Sequence, residues 1–84
     1  MSSNAAVTHE DVERRLTDAL VEFGADAESI TRDAHFTTLD VDSLDLVEMA
    51  QIVEDEWGVE IKNDDMKDLR TFGQAVDLVV GRLP

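Results

Sequence analysis

The sequence contains no cysteine, one proline and only four glycines among its 84 residues. The absence of cysteine excludes disulfides, thiolate metal sites and cysteine nucleophiles. The low proline and glycine content argues against a loop-rich or all-β fold, and an apolar content of 43% is enough for one small core. No apolar run approaches the roughly 20 residues of a membrane-spanning helix. The N-terminus also lacks the pattern of a signal peptide, so we expect a cytoplasmic domain.

Basic residues are scarce as well. Seven lysines and arginines face 20 aspartates and glutamates, which gives a net charge of −13. Such a charge repels nucleic acid and anionic membranes, so neither is expected as a partner. It also repels further copies of the chain, and we expect a monomer. Basic surfaces of partner proteins would be attracted, which raises association rates. The alternative explanation of the charge is solubility alone.

Apolar residues recur at helical spacing in four segments, and no segment alternates as a strand does. The segments are bounded, in chain order, by Thr8 and Gly24, by Ser43 and Gly58, by Asn63 or Asp64 and Leu69, and by Thr71 and Leu83. We therefore expect an all-α, small four-helix bundle with three longer helices and a short third helix. A long loop over residues 24–42 joins the first two helices. Residues 1–7 are expected to form a flexible tail, and residues 8–84 a single domain.

Ser43 stands at the start of the second helix, although that helix can begin without it. Asp42 can serve as the N-cap, with Asp45 as the reciprocal acidic group of a capping box. Ser43 then occupies the first helical position, where its hydroxyl points outward. Serines beside helix starts are usually structural. The function of this serine therefore has to be judged from its surroundings.

The second helix carries two apolar stripes. The first has the spacing of a core-facing stripe and consists of Leu46, Met49, Ala50, Val53 and Trp57. Leu44 and Val47 lie off that stripe, on the side where polar and acidic residues predominate. We interpret these two residues as a small docking patch. The alternative is that isolated apolar residues are common on protein surfaces.

Patterns typical of catalysis and of metal binding are missing. The two histidines have no spacing suited to a metal or to a Ser-His-Asp triad. Ser43 is not part of a Gly-x-Ser-x-Gly elbow, and there is no glycine-rich phosphate loop. Asp40-x-Asp42 begins like a calcium loop, but Gln51 stands where the bidentate glutamate is required. We expect neither an enzyme nor a metal site.

The segment around Ser43 resembles the modification site of the acyl carrier proteins. The resemblance rests first on Asp42-Ser43-Leu44-Asp45, which follows a leucine and opens an acidic amphipathic helix. It extends to the aromatic-to-isoleucine step from Trp57 to Ile61 and to the threonine-capped fourth helix, so that it covers about residues 8–83. Asp-Ser-Leu is a short motif, but it is specific in this four-helix context.

The resemblance implies that Ser43 carries 4′-phosphopantetheine, with Asp42 and Leu44 beside it. A phosphopantetheinyl transferase would transfer this arm from coenzyme A, and its thiol would hold acyl groups as thioesters. The expected partners are then this transferase and an acyltransferase, a ketosynthase and other basic-faced enzymes of fatty-acid or polyketide synthesis. The implied partner-binding positions are Leu44, Asp45, Val47, Glu48, Gln51, Glu54 and Asp55. The positions implied to surround an acyl chain are Leu46, Ala50, Val53, Trp57 and Ile61.

The sequence departs from the family pattern at several positions. Asp40 replaces a glycine, Lys62 stands where many members have proline, Gln51 fills a site that is often apolar, and Trp57 fills one that is more often phenylalanine. These departures leave both a fatty-acid carrier and a carrier of a specialised pathway open. A discrete peptidyl or aminoacyl carrier would use the same serine and arm. Outside the carriers, the alternative is an acidic helical protein-interaction adaptor.

Overall fold

The computed structural model describes residues 7–83. Its helices are, in chain order, α1 (His9–Glu22), α2 (Ser43–Trp57), α3 (Asn63–Lys67) and α4 (Phe72–Arg82). A short 3-10 helical turn, Ala27–Ser29, lies within the connection between α1 and α2. No strand occurs within residues 7–83. The predicted all-α fold with four helices, of which the third is short, is confirmed. None of the helices in this part of the chain is long and apolar enough to span a membrane.

Local capping signals set the helix boundaries. Thr8 Oγ1 accepts a hydrogen bond from the backbone N–H of Asp11 (3.2 Å), and the Asp11 carboxylate accepts one from the N–H of Thr8 (3.2 Å). Thr71 and Gln74 make the same reciprocal pair at the start of α4. At the end of α2, Gly58 adopts a left-handed conformation with φ +70°, which glycine tolerates without strain. These predicted boundaries are confirmed.

A single apolar core joins α1, α2, α4 and the connections between them. Its buried side chains are Val12, Leu16, Leu20, Phe36, Leu39, Val41, Met49, Val53, Val59, Phe72, Ala75, Val76 and Val79. Leu46 and Trp57, which share the predicted core stripe of α2, are only half-buried and pack at the edge of this cluster. The five-residue α3 contributes no fully buried side chain. Helix α3 therefore covers its side of the bundle without burying a side chain of its own.

The predicted tail lies almost entirely outside the described residues. Its last residue, Val7, is half-buried and packs against the core. Apolar packing in the described part of the chain thus begins one residue before the predicted domain boundary. The flexibility of the tail and the limits of the domain stay predictions.

The long connection before α2 is held against the start of α4. Three backbone hydrogen bonds join the two segments, from Phe36 N–H to the Arg70 carbonyl (2.9 Å), from Phe72 N–H to that of Ala34 (3.0 Å) and from Gly73 N–H to that of Arg32 (2.9 Å). Three apolar side chains of this connection, Phe36, Leu39 and Val41, are buried in the core. The connection therefore fixes the start of α2 relative to α4.

Gly73 permits this close approach. A Cβ atom at this position would lie 2.8 Å from the carbonyl oxygen of Arg32, which accepts the hydrogen bond of Gly73. Moving that oxygen would weaken the hydrogen bond. We expect Gly73→Ala to lower the free energy of unfolding by about 1–3 kcal/mol, from overpacking and a strained hydrogen bond. Urea unfolding followed by circular dichroism measures this change.

Gly81→Ala is the matched control, because Gly81 also lies in α4 but a Cβ there would meet no atom within 4 Å. Alanine favours a helix over glycine by roughly 0.8–1 kcal/mol, so Gly81→Ala should leave the protein as stable or more stable. Equal free energies of unfolding for the two variants would contradict the role given to Gly73.

Candidate functional site

The start of α2 is capped by aspartates and leaves its serine unused. The N–H of Asp45 donates to Asp42 Oδ1 (3.0 Å), and the N–H of Asp42 donates to Asp45 Oδ2 (3.4 Å). The predicted capping box is therefore confirmed. Ser43 is the first residue of α2, and its side chain is exposed. Within residues 7–83 its hydroxyl makes no hydrogen bond. The hydroxyl of Ser43 is thus accessible and is not needed to begin the helix.

Asp40 makes the turn that leads into this helix. It adopts φ +60°, in the left-handed region that glycine occupies most easily and that aspartate tolerates better than most other residues. The buried Leu39 and Val41 lie on either side of it. The backbone conformation suits the glycine that the family resemblance implies at this position. It also explains how an aspartate can replace that glycine without a change of fold.

Two open grooves meet at Ser43. The α2–α3 groove has a volume of about 250 Å³ and is lined by Ser43, Leu46, Val47, Asn63, Met66 and Lys67. The loop groove has a volume of about 460 Å³ and is lined by His35, Phe36, Thr37, Val41, Asp42, Ser43, Leu46, Leu69 and Arg70. Ser43 and Leu46 belong to both grooves. A group attached to the hydroxyl of Ser43 therefore has two possible surfaces to lie on.

The outward side of α2 is apolar at two positions and acidic around them. Leu44 is 74% exposed and Val47 is 50% exposed, as the second stripe of the sequence predicts. Their polar neighbours Glu48, Gln51, Glu54 and Asp55 are also exposed, whereas Asp45 is half-buried in the capping box. This side of α2 combines apolar contact area with negative charge. Such a combination suits a basic protein partner.

Comparison with known proteins gives the family. The family model for the phosphopantetheine attachment site matches residues 6–79. An acyl carrier protein of Lactobacillus johnsonii is 39% identical over 75 residues, which cover 87% of this chain and 94% of the relative. An acyl carrier protein of Lactobacillus acidophilus is 36% identical over the same length and with the same coverage. The chain belongs to the acyl carrier protein family.

Membership in this family confirms three predictions. The family resemblance is correct, the chain is a carrier rather than an enzyme, and its cofactor is 4′-phosphopantetheine. An acyl carrier protein works with the transferase that attaches its arm and with the enzymes of its pathway. The exposed hydroxyl of Ser43, next to two grooves, fits the attachment of such an arm.

The residues predicted to surround an acyl chain lie at different depths in this carrier. Ala50 and Val53 are buried in the core, and Trp57 and Ile61 are half-buried against it. Leu46 lines both grooves, whereas the other four residues line neither of them. Their role around an acyl chain stays a prediction.

Several residues beside Ser43 were not predicted as part of the site. They come from the first connection, which is the segment between α1 and α2, and from the segment around α3. They are His35, Phe36, Thr37, Val41, Asn63, Met66, Lys67, Leu69 and Arg70. Met66 and Leu69 have helical spacing in the sequence, which locates a helix but not its neighbours. Tertiary packing brings them to Ser43. No signal in a single sequence reveals that contact.

The carrier holds α3 in place through an ion pair with α4. Two guanidinium nitrogens of Arg82 donate to the two carboxylate oxygens of Asp65, at 2.6 and 2.8 Å. Asp65 also accepts from the N–H of Lys62 (2.9 Å), and Arg82 donates to the carbonyl of Glu60 (3.2 Å). The hydrogen bonds from Arg82 and then Lys62 lower the pKa of Asp65 from 3.8 to about 2. This pair fixes the helix that forms one wall of the α2–α3 groove.

The low pKa of Asp65 makes this contribution to stability dependent on pH. A carboxylate whose pKa is lower in the folded state stabilises the fold above its unfolded pKa, and that gain is lost as pH falls toward the folded pKa. We expect wild type to melt at a higher temperature than Asp65→Asn above about pH 4, with the difference shrinking between about pH 4 and pH 2. Thermal unfolding by circular dichroism measures it.

Asp64→Asn is the control for the Asp65 experiment, because it removes an acid from the same helix without touching Arg82. The side chain of Asp64 is 92% exposed and its pairing with Lys67 spans 3.5 Å, so its effect on melting should be small. A difference between wild type and Asp65→Asn that does not change with pH would contradict the assignment.

Proposed function

We propose that Ser43 is the residue that carries 4′-phosphopantetheine in this carrier. The observation that supports this most strongly is the exposed hydroxyl of Ser43, which Asp42 and Asp45 relieve of any capping role. In the loading reaction, the Ser43 oxygen attacks the β-phosphorus of coenzyme A. The phosphorus–oxygen bond to 3′,5′-ADP breaks, and the serine proton is lost. A phosphopantetheinyl transferase catalyses this step.

The attached arm supplies a thiol, which forms thioesters with acyl groups and which this cysteine-free chain does not otherwise possess. The acyl groups that we propose are intermediates of fatty-acid or polyketide synthesis, in line with the relatives that are named acyl carrier proteins. Leu46, Val47 and Met66 give the α2–α3 groove an apolar lining. This lining suits an alkyl chain that extends from the arm. Ala50, Val53, Trp57 and Ile61 would contribute if the chain reached into the core.

One side of α2, the docking face, consists of Leu44, Asp45, Val47, Glu48, Gln51, Glu54 and Asp55. We propose that it binds the transferase, an acyltransferase, a ketosynthase and other enzymes with basic surfaces. The support is the exposure of Leu44 and Val47 beside Ser43, with carboxylates around them. The acids would speed the encounter, and the aliphatic side chains would provide contact area.

The proposed setting is the cytoplasm, where the carrier acts as a monomer. The net charge of −13 supports this proposal, because it opposes self-association and adsorption to anionic membranes. A monomer leaves the docking face open to successive partners. Sedimentation equilibrium at physiological salt measures the mass of the species in solution.

Incubation with coenzyme A and a transferase of broad specificity tests the proposed function. The intact mass should rise by one phosphopantetheine, and an unchanged mass would overturn the proposal. Loading of the product with malonyl-coenzyme A and an acyltransferase, against loading with adenylated amino acids, then separates the carrier classes. Malonyl loading supports the fatty-acid or polyketide role. Loading with amino acids alone would replace that role by an aminoacyl or peptidyl carrier.

A further inference from the structure

Each of the two grooves at Ser43 contains one lysine or arginine, although the whole chain has only seven of them, and the loop groove also contains His35. Lys67 lines the α2–α3 groove, and Arg70 lines the loop groove. The phosphate that joins the arm to the serine carries a negative charge. It would lie beside Asp42 and Asp45, whose carboxylates repel it. A nearby cation is therefore the group that decides on which side of Ser43 the phosphate lies.

The backbone of Arg70 is firmly held next to the loop groove. Its N–H donates to Gln74 Oε1 (2.7 Å), and its carbonyl accepts from the N–H of Phe36 (2.9 Å). Phe36 is buried, and Gln74 belongs to the capping box of α4. The Cα of Arg70 is thus fixed between the first connection and α4. Only the side chain has to move to contact a bound group.

The guanidinium of Arg70 is available for such a contact. Within residues 7–83 it has no carboxylate at ion-pair distance, whereas three other arginines, Arg15, Arg32 and Arg82, are paired with acids. Arg14 also lacks such a partner in this part of the chain, but it lines neither groove at Ser43, whereas Arg70 does. Its charge is not already neutralised by a partner in this part of the chain.

Lys67 is the weaker candidate of the two. Its ammonium group lies 3.5 Å from a carboxylate oxygen of Asp64, and the Lys67 side chain is 77% exposed. An ammonium group also meets a phosphate as a point charge, whereas a guanidinium can donate two parallel hydrogen bonds to two phosphate oxygens.

We propose that Arg70 binds the phosphate of the arm on Ser43 and so directs the first part of the arm into the loop groove. This inference rests on the proposed function of Ser43. Arg70 then acts as a positioning residue, which holds the phosphate end of the arm at the loop groove and leaves the α2–α3 groove free for an acyl chain. The contact is electrostatic and solvent-exposed, so it weakens as salt is added.

Nuclear magnetic resonance of the apo and holo protein tests this inference. The Nε–Hε signal of Arg70 should shift when the arm is attached, and the shift should shrink in high salt. Arg14 is the internal control, since it is exposed and has no carboxylate at ion-pair distance within residues 7–83 but lies in α1. Backbone amides of Phe36 and Thr37 should shift more than those of Met66 and Lys67.

Variants of the holo protein complete the test. Arg70→Gln should reduce the amide shifts of the loop groove about threefold or more, Arg70→Lys should retain part of them, and Arg14→Gln should leave them unchanged. If Arg70→Gln does not fold, the Nε–Hε signal of the wild type still decides. An unshifted Arg70 signal, or shifts confined to the α2–α3 groove, would overturn the inference. Intact mass separates the two proposals, because failure to gain the arm counts against Ser43 and not against Arg70.

Discussion

Ser43→Ala is expected to abolish the gain of phosphopantetheine completely while the helical fold remains. The substitution removes the oxygen that, in the proposed function, attacks coenzyme A. The hydroxyl makes no hydrogen bond within residues 7–83, and alanine is a strong helix former. The free energy of unfolding should therefore change by less than about 0.5 kcal/mol. Intact mass measures loading, and urea unfolding measures stability.

Ser29→Ala is the matched control for this result. Ser29 is an exposed serine in the 3-10 turn, remote in sequence from α2, and it lines neither groove at Ser43. This variant should gain the arm at the wild-type rate. A Ser43→Ala protein that still gains phosphopantetheine would place the attachment point elsewhere in the chain.

Glu48→Lys is expected to slow association with a basic partner enzyme about tenfold at low ionic strength. The change reverses a charge on the docking face next to Val47, and charges of this kind act chiefly on the association rate. The difference from wild type should shrink strongly as the salt concentration approaches about 1 M, where the screening length falls to roughly 3 Å. Stopped-flow measurements of transfer to the enzyme across a salt series give these rates.

Asp18→Lys is the control for the docking face, because it makes the same charge change at an exposed position of α1. It should slow association much less than Glu48→Lys. Equal slowing by both variants would mean that only the net charge matters. Rates that do not depend on salt would mean that the acids serve solubility and not docking.

The helix boundaries could be predicted because they depend on neighbouring residues. Thr8 and Thr71 each form a capping box with the residue three positions later in the chain. Gly58 ends α2 because its own backbone adopts a left-handed conformation. The 3-10 turn at Ala27–Ser29 was not predicted, since it has no apolar periodicity and no buried residue. Its only local signal in the sequence is the Asp26 cap, and a single cap does not distinguish a turn from a loop.

The site was predictable in part for the same reason. Asp42 and Ser43 form a local motif, and the exposure of Leu44 follows from its place on the α2 helix. The grooves depend on how the first connection and α3 pack against that helix. Arg70 lies at the loop groove because its N–H and its carbonyl are hydrogen-bonded to α4 and to the connection between α1 and α2, respectively. Contacts between segments so far apart in the chain are not encoded in any local pattern.

The assignment of the arm to Ser43 is tested most directly by locating the modification within the chain. Trypsin cleavage after Arg32 and Lys62 releases peptide 33–62. The residues with an aliphatic hydroxyl in this peptide are Ser43, Thr37 and Thr38. Tandem mass spectrometry of the loaded protein should find phosphopantetheine on this peptide and on Ser43 alone. Phosphopantetheine on either threonine, or on a different peptide, would contradict the assignment.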